Sequence, residues 1–399
     1  MGKLQGKRIF LPALVSYMES HDEERMVYSN INYGNTGNAF YPIKNNLEIA
    51  LSRAELCALF FLAMPGHKMI WQFGELGYDY SVDYNGRVGN KPIRWDYYQN
   101  PNRYRLYSFY SWMNRLRNEY AVFHTGNFTL SVAGKVKTMV LNDSEMQVVI
   151  TGNFDVFGQE ATIGFSKEGW WYDYFRKDSL YVSSTSYKLQ LQPGEYRMFT
   201  SAPLRDPEIV SAPHALNVSL TGNVTVGNTL QVQYRYFDAN NDPEGDTRFQ
   251  WYRCNSATGT GKTAIAGATT QSYTLTENDR GFYIFAEVTP YASSGKLLKG
   301  LPAVAYVGFE TSAAMPAEPT LDIFPNPFAN QISIKSTGTG NNPSVIVLTD
   351  ILGKVVYTSK FLADSTISID VSSLPKGLYI LSIRDINGKS IAQKKMVKY

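Results

Sequence analysis

Apolar and polar positions alternate in different ways along the chain. Leu14 to Tyr17 is a short apolar strand candidate at the end of an apolar stretch that begins at Phe10. Leu47, Ala50, Leu51, Ala54, Cys57, Ala58 and Phe61 recur at helical spacing behind the capping candidates Asn45 and Asn46, and Pro65-Gly66 ends that run. Met69 to Phe73 reads as a second buried strand. A Gly- and Tyr-rich loop follows, and Leu106, Phe109, Tyr110, Met113 and Leu116 predict a helix over Arg105 to Ala121. Strand, helix, strand, helix is the pattern of a parallel sheet with crossover helices.

From about residue 126 the period becomes two. Met146 to Thr151 and Tyr187 to Gln192 alternate between turn residues, which predicts an antiparallel β domain ending near Thr200. Three prolines in residues 201–213 predict a linker. Short strands at Leu230 to Tyr236, Arg248 to Arg253 and Phe282 to Thr289 predict a sandwich over 214–308. Residues 309–320 read as a second linker, and 321–399 as a last β domain. No repeat of fixed period joins these parts.

Composition adds less. A net charge of +3 gives no reason to expect a nucleic-acid or membrane partner. The longest apolar run, Leu56 to Met64, is far short of the roughly 20 residues that cross a bilayer. Ile9 to Val15 contains Pro12 and runs into charge, unlike a signal peptide. Cys57 and Cys254 fall in different predicted domains and read as free thiols. The 28 tyrosines suit sugar rings and β-sandwich cores alike.

Candidate chemistry gathers behind the first strand, where His21, Asp22, Glu23, Glu24 and Arg25 are consecutive. Side chains at the C-terminal ends of barrel strands face the active site. A carboxylate there can stabilise developing positive charge, and an imidazole can bind a hydroxyl, as the oxocarbenium-like transition state of glycoside hydrolysis requires.

The letters Ser16-Tyr-Met-Glu-Ser-His-Asp-Glu-Glu-Arg25 resemble the His-Asp motif after the seventh barrel strand of the alpha-amylase family of glycoside hydrolases (family thirteen). Met64 to Gly77 is similar to that family's eighth strand and its Gly-x-Glu-x-Gly loop, and Lys91 to Asp96 to the segment that follows. Gly152-Asn-Phe154 and Leu191 to Tyr196 are similar to its C-terminal β domain.

The resemblance implies a remnant of a (β/α)8 barrel, its last two βα units, over 1–125, and the family's β domain over 126–202. Asp22 would be the transition-state stabiliser and His21 would bind hydroxyls of the same sugar. Glu75 would shape its loop, and Arg25 would pair with a neighbouring carboxylate. Ser20 stands where the family commonly has Asn. The family's nucleophilic Asp and acid/base Glu have no counterpart, because Glu19, Glu23 and Glu24 do not match those motifs. The expectation is therefore the C-terminal portion of a secreted hydrolase of α-glucans such as starch, inactive by itself. The alternatives are a non-catalytic carbohydrate-binding or structural surface protein, or a glycosyl-transferring member of the family. No cofactor is implied, and the family's usual calcium site draws on other parts.

Residues 214–308 resemble a bacterial immunoglobulin-like module through Val226 to Leu230, Phe249 to Arg253, Ala264 to Thr269 and Ser272 to Thr276, with Trp251 as its core tryptophan. The acidic stretch Asp238 to Asp246 lacks EF-hand spacing and reads as a turn. Residues 321–399 resemble the C-terminal sorting domain of the type IX secretion system of Bacteroidetes, through Phe324-Pro-Asn-Pro-Phe328, Asp350 to Val356, Leu374 to Ile380 and Lys394 to Tyr399. That resemblance implies the type IX machinery as a partner and a secreted or surface-attached product.

Overall fold

The computed structural model describes residues 14–308, 320–337, 344–361, 366–384 and 390–399. They fall into two compact units divided at residue 309. Of the expected linker at 309–320 only Thr320 is among the described residues, as the first residue of a strand.

In the first unit, β1 (Val15–Ser16) is followed by α1 (Met26–Tyr33), α2 (Leu47–Ala63), β2 (His67–Lys68) and α3 (Pro101–Glu119). β1 and β2 pair in parallel, Val15 with His67 and Ser16 with Lys68. Among the described residues they form a sheet of two strands only. The strand expected at Met69 to Phe73 does not form. Among the described residues that stretch has no third strand to pair with, and it turns instead into a 3-10 helix at Gly74–Leu76, with Phe73 in the left-handed region at φ 59°. With a single neighbour, β1 is not buried either: Val15 is 58% exposed.

The helices follow their sequence signals closely. The Asn46 side chain accepts from Ile49 N at 3.1 Å and caps α2. Asn100 caps α3 and Pro101 occupies its first position, so this helix begins before Arg105. The C-terminal carbonyls of α2 are held by the buried Arg117, which donates to Leu62 O at 2.6 Å, Met64 O at 2.9 Å and Gly66 O at 2.9 Å. α1 carries few periodic apolar positions and gives no comparable signal.

Eight strands follow: β3 (Asn127–Ser131), β4 (Val136–Asn142), β5 (Gln147–Asn153), β6 (Gln159–Gly164), β7 (Gly169–Asp173), β8 (Asp178–Val182), β9 (Ser186–Leu191) and β10 (Tyr196–Thr200). Six make a sheet in the order β3-β4-β5-β10-β7-β8, and β6 pairs with β9. One core joins this sheet to the helices. Ala58, Leu59 and Leu62 of α2 and Phe109, Met113 and Leu116 of α3 pack with Met139, Ile150 and Met198. Arg105 and Glu55 form an ion pair at 2.7 Å inside it, and Tyr196 Oη donates to Glu55 at 2.5 Å. The apolar faces of α2 and α3 are thus covered by the β sheet.

Residues 203–213 carry no regular structure, yet they are anchored. Arg205 N donates to Tyr120 Oη at 2.9 Å, Val210 N to Ser108 Oγ at 3.0 Å, and Ile209 and Ala212 are buried. The proline-rich stretch is a packed strap, because its backbone finds side-chain partners on both flanks.

Beyond it, His214–Thr221, Thr229–Phe237 and Ser272–Thr274 form one sheet, and Thr263–Ala264, Arg248–Cys254, Tyr283–Thr289 and Ala303–Gly308 form the other. Trp251 is fully buried between them and donates its indole N–H to Thr270 O at 2.9 Å. This sandwich meets the preceding part through Phe40, which stacks on Phe285 with centroids 4.6 Å apart, and through Lys299–Glu48 at 3.1 Å. Cys57 and Cys254 are free thiols, each pushed up to about 11 by burial.

The second unit has a three-stranded and a four-stranded antiparallel sheet. Ile332, Ile334, Ile346, Leu348, Ile369, Leu381, Ile383 and Met396 close its core.

Candidate functional site

The C-terminal end of β1 carries the charged cluster. Glu19 and Ser20 turn inward and are buried, whereas His21, Asp22 and Glu23 face solvent. The turn is built from its own side chains. Ser20 Oγ accepts from Asp22 N at 3.1 Å and donates to Glu23, which also accepts from Tyr17 Oη at 3.3 Å. Glu19 Oε2 accepts from Met26 N at 2.9 Å and so fixes the start of α1. Glu24 reaches the loop after β2, accepting from Ser81 Oγ at 2.7 Å and Val82 N at 2.8 Å. The cluster thus sits between two locks, one to α1 and one to residues 81–82.

His21 Nε2 lies 3.2 Å from Asp22 Oδ2. The Trp71 ring, three residues past β2, is 5.6 Å from the imidazole, centroid to centroid. Arg87 Nε stands 3.8 Å from Asp22 Oδ1, and its guanidinium also donates to the Asp22 carbonyl. Both partners of that ion pair are exposed, so it is weak and open to displacement. Parallel pairing of β1 with β2 therefore brings together an imidazole, a carboxylate and an indole face.

Arg25 does not pair with a carboxylate. It is buried, donates to Ser20 O at 3.2 Å, and lies over the rings of Tyr78 at 5.3 Å and Trp71 at 5.9 Å. No carboxylate comes within ion-pair distance of it among the described residues, since Glu19 is directed at Met26 N and Glu24 at Ser81 and Val82. Burial accordingly lowers the pKa of its guanidinium.

Glu75 lies in the 3-10 turn beside Gly74, where a Cβ would meet Glu19 Oε1 at 2.6 Å. Burial raises the pKa of both Glu19 and Glu75. Glu19 Oε1 and Trp71 Nε1 are buried without a hydrogen-bond partner. Glu75 also lines an open pocket of about 650 Å³ with Trp71, Phe73, Trp95, Tyr107 and Tyr110.

Trp71, Arg87 and the Glu24 lock were not legible as site residues. Trp71 lies inside a recognisable strand motif, but its approach to His21 depends on the β1–β2 register. Arg87 comes from a loop with no local signal. Among the described residues no group of three or more His, Cys, Asp or Glu side chains is placed to hold a metal ion. Asp238 instead accepts from Asn240 N at 2.7 Å within its turn. No helix among the described residues is long and apolar enough to cross a membrane.

Residues 322–398 match the family model of the secretion system C-terminal sorting domain. Residues 215–300 match that of the AIR9 A9 domain, an immunoglobulin-like module. No curated protein sequence matches the chain. Among solved structures it is similar to an alpha-amylase from Geobacillus thermoleovorans, with 16% identity, TM-score 0.36, and coverage of 47% of this chain and 38% of that one. An Anoxybacillus alpha-amylase gives 16% identity, TM-score 0.36, and 49% and 39% coverage. The trehalose-6-phosphate hydrolase of Bacillus licheniformis gives 12% identity, TM-score 0.33, and 46% and 42% coverage. The chain therefore spans less than half the length of each of these enzymes.

Proposed function

We propose that residues 14–200 are the closing part of an alpha-amylase-type glycoside hydrolase that acts on α-glucans such as starch. One observation carries the reading: His21 and Asp22 stand 3.2 Å apart at the C-terminal end of a parallel-paired strand, beside the Trp71 ring. In this reading the Asp22 carboxylate faces the anomeric carbon as positive charge develops and strengthens its interaction with the sugar in the transition state. His21 donates a hydrogen bond to a hydroxyl of the same sugar, and Trp71 limits where that sugar can lie. Arg87 yields its exposed ion pair with Asp22 when the sugar enters.

A retaining glycosidase also needs two carboxyl groups about 5 Å apart across the scissile bond. Glu19 is committed to Met26 N and Glu24 to residues 81–82, so neither is free for that work. The nucleophile and the acid/base would come from barrel strands that pair with the open edges of the β1–β2 sheet. The sorting domain at 322–398 fits export of the product to the cell surface or medium. The test is reducing-sugar release from soluble starch by the purified chain. No release above blank is expected, and steady release that Asp22→Asn abolishes would overturn the division of labour proposed here.

A further inference from the structure

A sorting domain must be read by the export machinery, and the surface that is read can be sought on the second unit. Its sequence motifs each mix exposed positions with buried or half-buried ones. Phe328 and Tyr379 lie in the core. Asn326 accepts from Val397 N at 3.0 Å and donates to Lys395 O at 2.9 Å, tying the Pro-Asn-Pro segment to the last strand. Tyr379 Oη donates to Pro375 O at 2.7 Å, and the buried Lys398 ammonium donates to Ser372 O at 2.9 Å. These contacts hold the fold, while Phe324, 48% exposed, and Tyr399, 71% exposed, each show solvent a single aromatic ring.

The Asp350 to Val356 motif presents two exposed aliphatic side chains next to each other. It is the tip of the hairpin between Ser344–Asp350 and Val355–Phe361. Ile351 is 66% exposed and Leu352 89% exposed. The tip is held rigidly all the same. Asp350 Oδ1 accepts from Leu352 N and Lys354 N, both at 2.9 Å. Asp350 N donates to Lys354 O at 3.0 Å and Gly353 N to Asp350 O at 3.1 Å, with Gly353 at φ 82°. Turn positions favour Gly, Pro, Asn, Asp and Ser, so turn chemistry asks for no aliphatic pair here. Two adjacent aliphatic side chains on a pinned loop offer apolar area to a partner at little ordering cost.

We propose that Ile351 and Leu352 are the contact by which the secretion machinery grips this domain, inserting into an apolar groove on one of its protein components. The proposal rests on the sorting-domain match and adds the place of contact. It is tested in a bacterium that has a type IX machinery, with the full chain placed behind an inner-membrane export leader. The exported fraction is measured against the periplasmic fraction for the wild type, Ile351→Ser/Leu352→Ser, and the exposed control Lys376→Ala, with a melting curve for each purified protein. The expected result is an exported fraction at least about tenfold lower for the double variant, the scale of losing a central contact, with unchanged melting and a normal control. If the double variant melts lower, Leu352→Gln alone decides, and it is expected to show the same direction of loss. Wild-type export of the variants would overturn the proposal and leave the sorting role standing. A dimer of the wild type that the variants convert to monomer, with export unchanged, would assign the tip to self-association and equally overturn it. Retention of the wild type itself would remove the sorting role and the proposal together.

Discussion

Glu19 and Trp71 show what single side chains contribute around the His21–Asp22 pair. Glu19 is buried, one of its oxygens fixes α1, and the other has no hydrogen-bond partner. Burial raises its pKa above 4.5. The folded protein then holds the proton more tightly than the unfolded chain does. This gives a stabilising contribution that is full below about pH 4.5 and is lost as pH rises through the raised value. Glu19→Gln keeps an oxygen for Met26 N and cannot titrate, so the fall in melting temperature above pH 4.5 is expected to become shallower. An unchanged pH profile would show that Glu19 ionises in the fold as it does in water. His21 and Asp22 stand out as candidates because their order in sequence is itself the motif, whereas Ser20 departs from it. Glu19 was only a neighbour in that motif, since its inward rotation follows from the turn that Ser20 closes.

At the scale of elements, α2, α3 and β1 were legible, whereas α1 and β2 were not. Asn46 and the apolar spacing that follows it mark α2, and α3 begins where Asn100 and Pro101 stand. Replacing Asn46 by Ala is expected to cost about 1 kcal/mol, read as a lower urea midpoint with an unchanged slope. Met69 to Phe73 has the apolar content of a strand but no partner to pair with, and strand formation is a property of pairs rather than of segments. Coverage by the β sheet decides where the chain is open to attack. α2 and α3 are covered by the β sheet, whereas Val88, Ile93 and Trp95 are exposed in the loop before α3. Brief proteolysis is expected to cut within residues 83–94 and to spare 47–63 and 101–119. Early cleavage inside α2 or α3 would show that the shared core does not hold.

Across the first unit, the β sandwich at 214–308 is joined to the helical part by contacts that no local pattern announces. Phe40 lies between Phe285, Tyr252 and the Lys262 ammonium, with centroid distances of 4.6, 5.4 and 4.0 Å. Phe40→Ala is expected to destabilise the unit by about 3 kcal/mol, as deletion of a buried ring does. An unchanged unfolding curve would mean that the sandwich moves independently. The stretch 201–213 reads as a linker by composition but becomes a strap, because Tyr120, Ser108 and Asn240 supply partners from distant parts of the chain. Among the described residues the parallel sheet of this unit has two strands, and it carries the candidate site.

The proposed site stands or falls on whether the end of that sheet recognises an α-linked sugar. The chain has four histidines, and their ring-proton signals can be assigned by substitution and followed by NMR during a maltoheptaose titration. The expected result is a saturable shift of the His21 signal at millimolar sugar, absent in Trp71→Ala, with the His124 and His214 signals unmoved and no sugar released. A His21 signal that stays fixed, or that moves equally with cellohexaose, would contradict the assignment of this site to α-glucans.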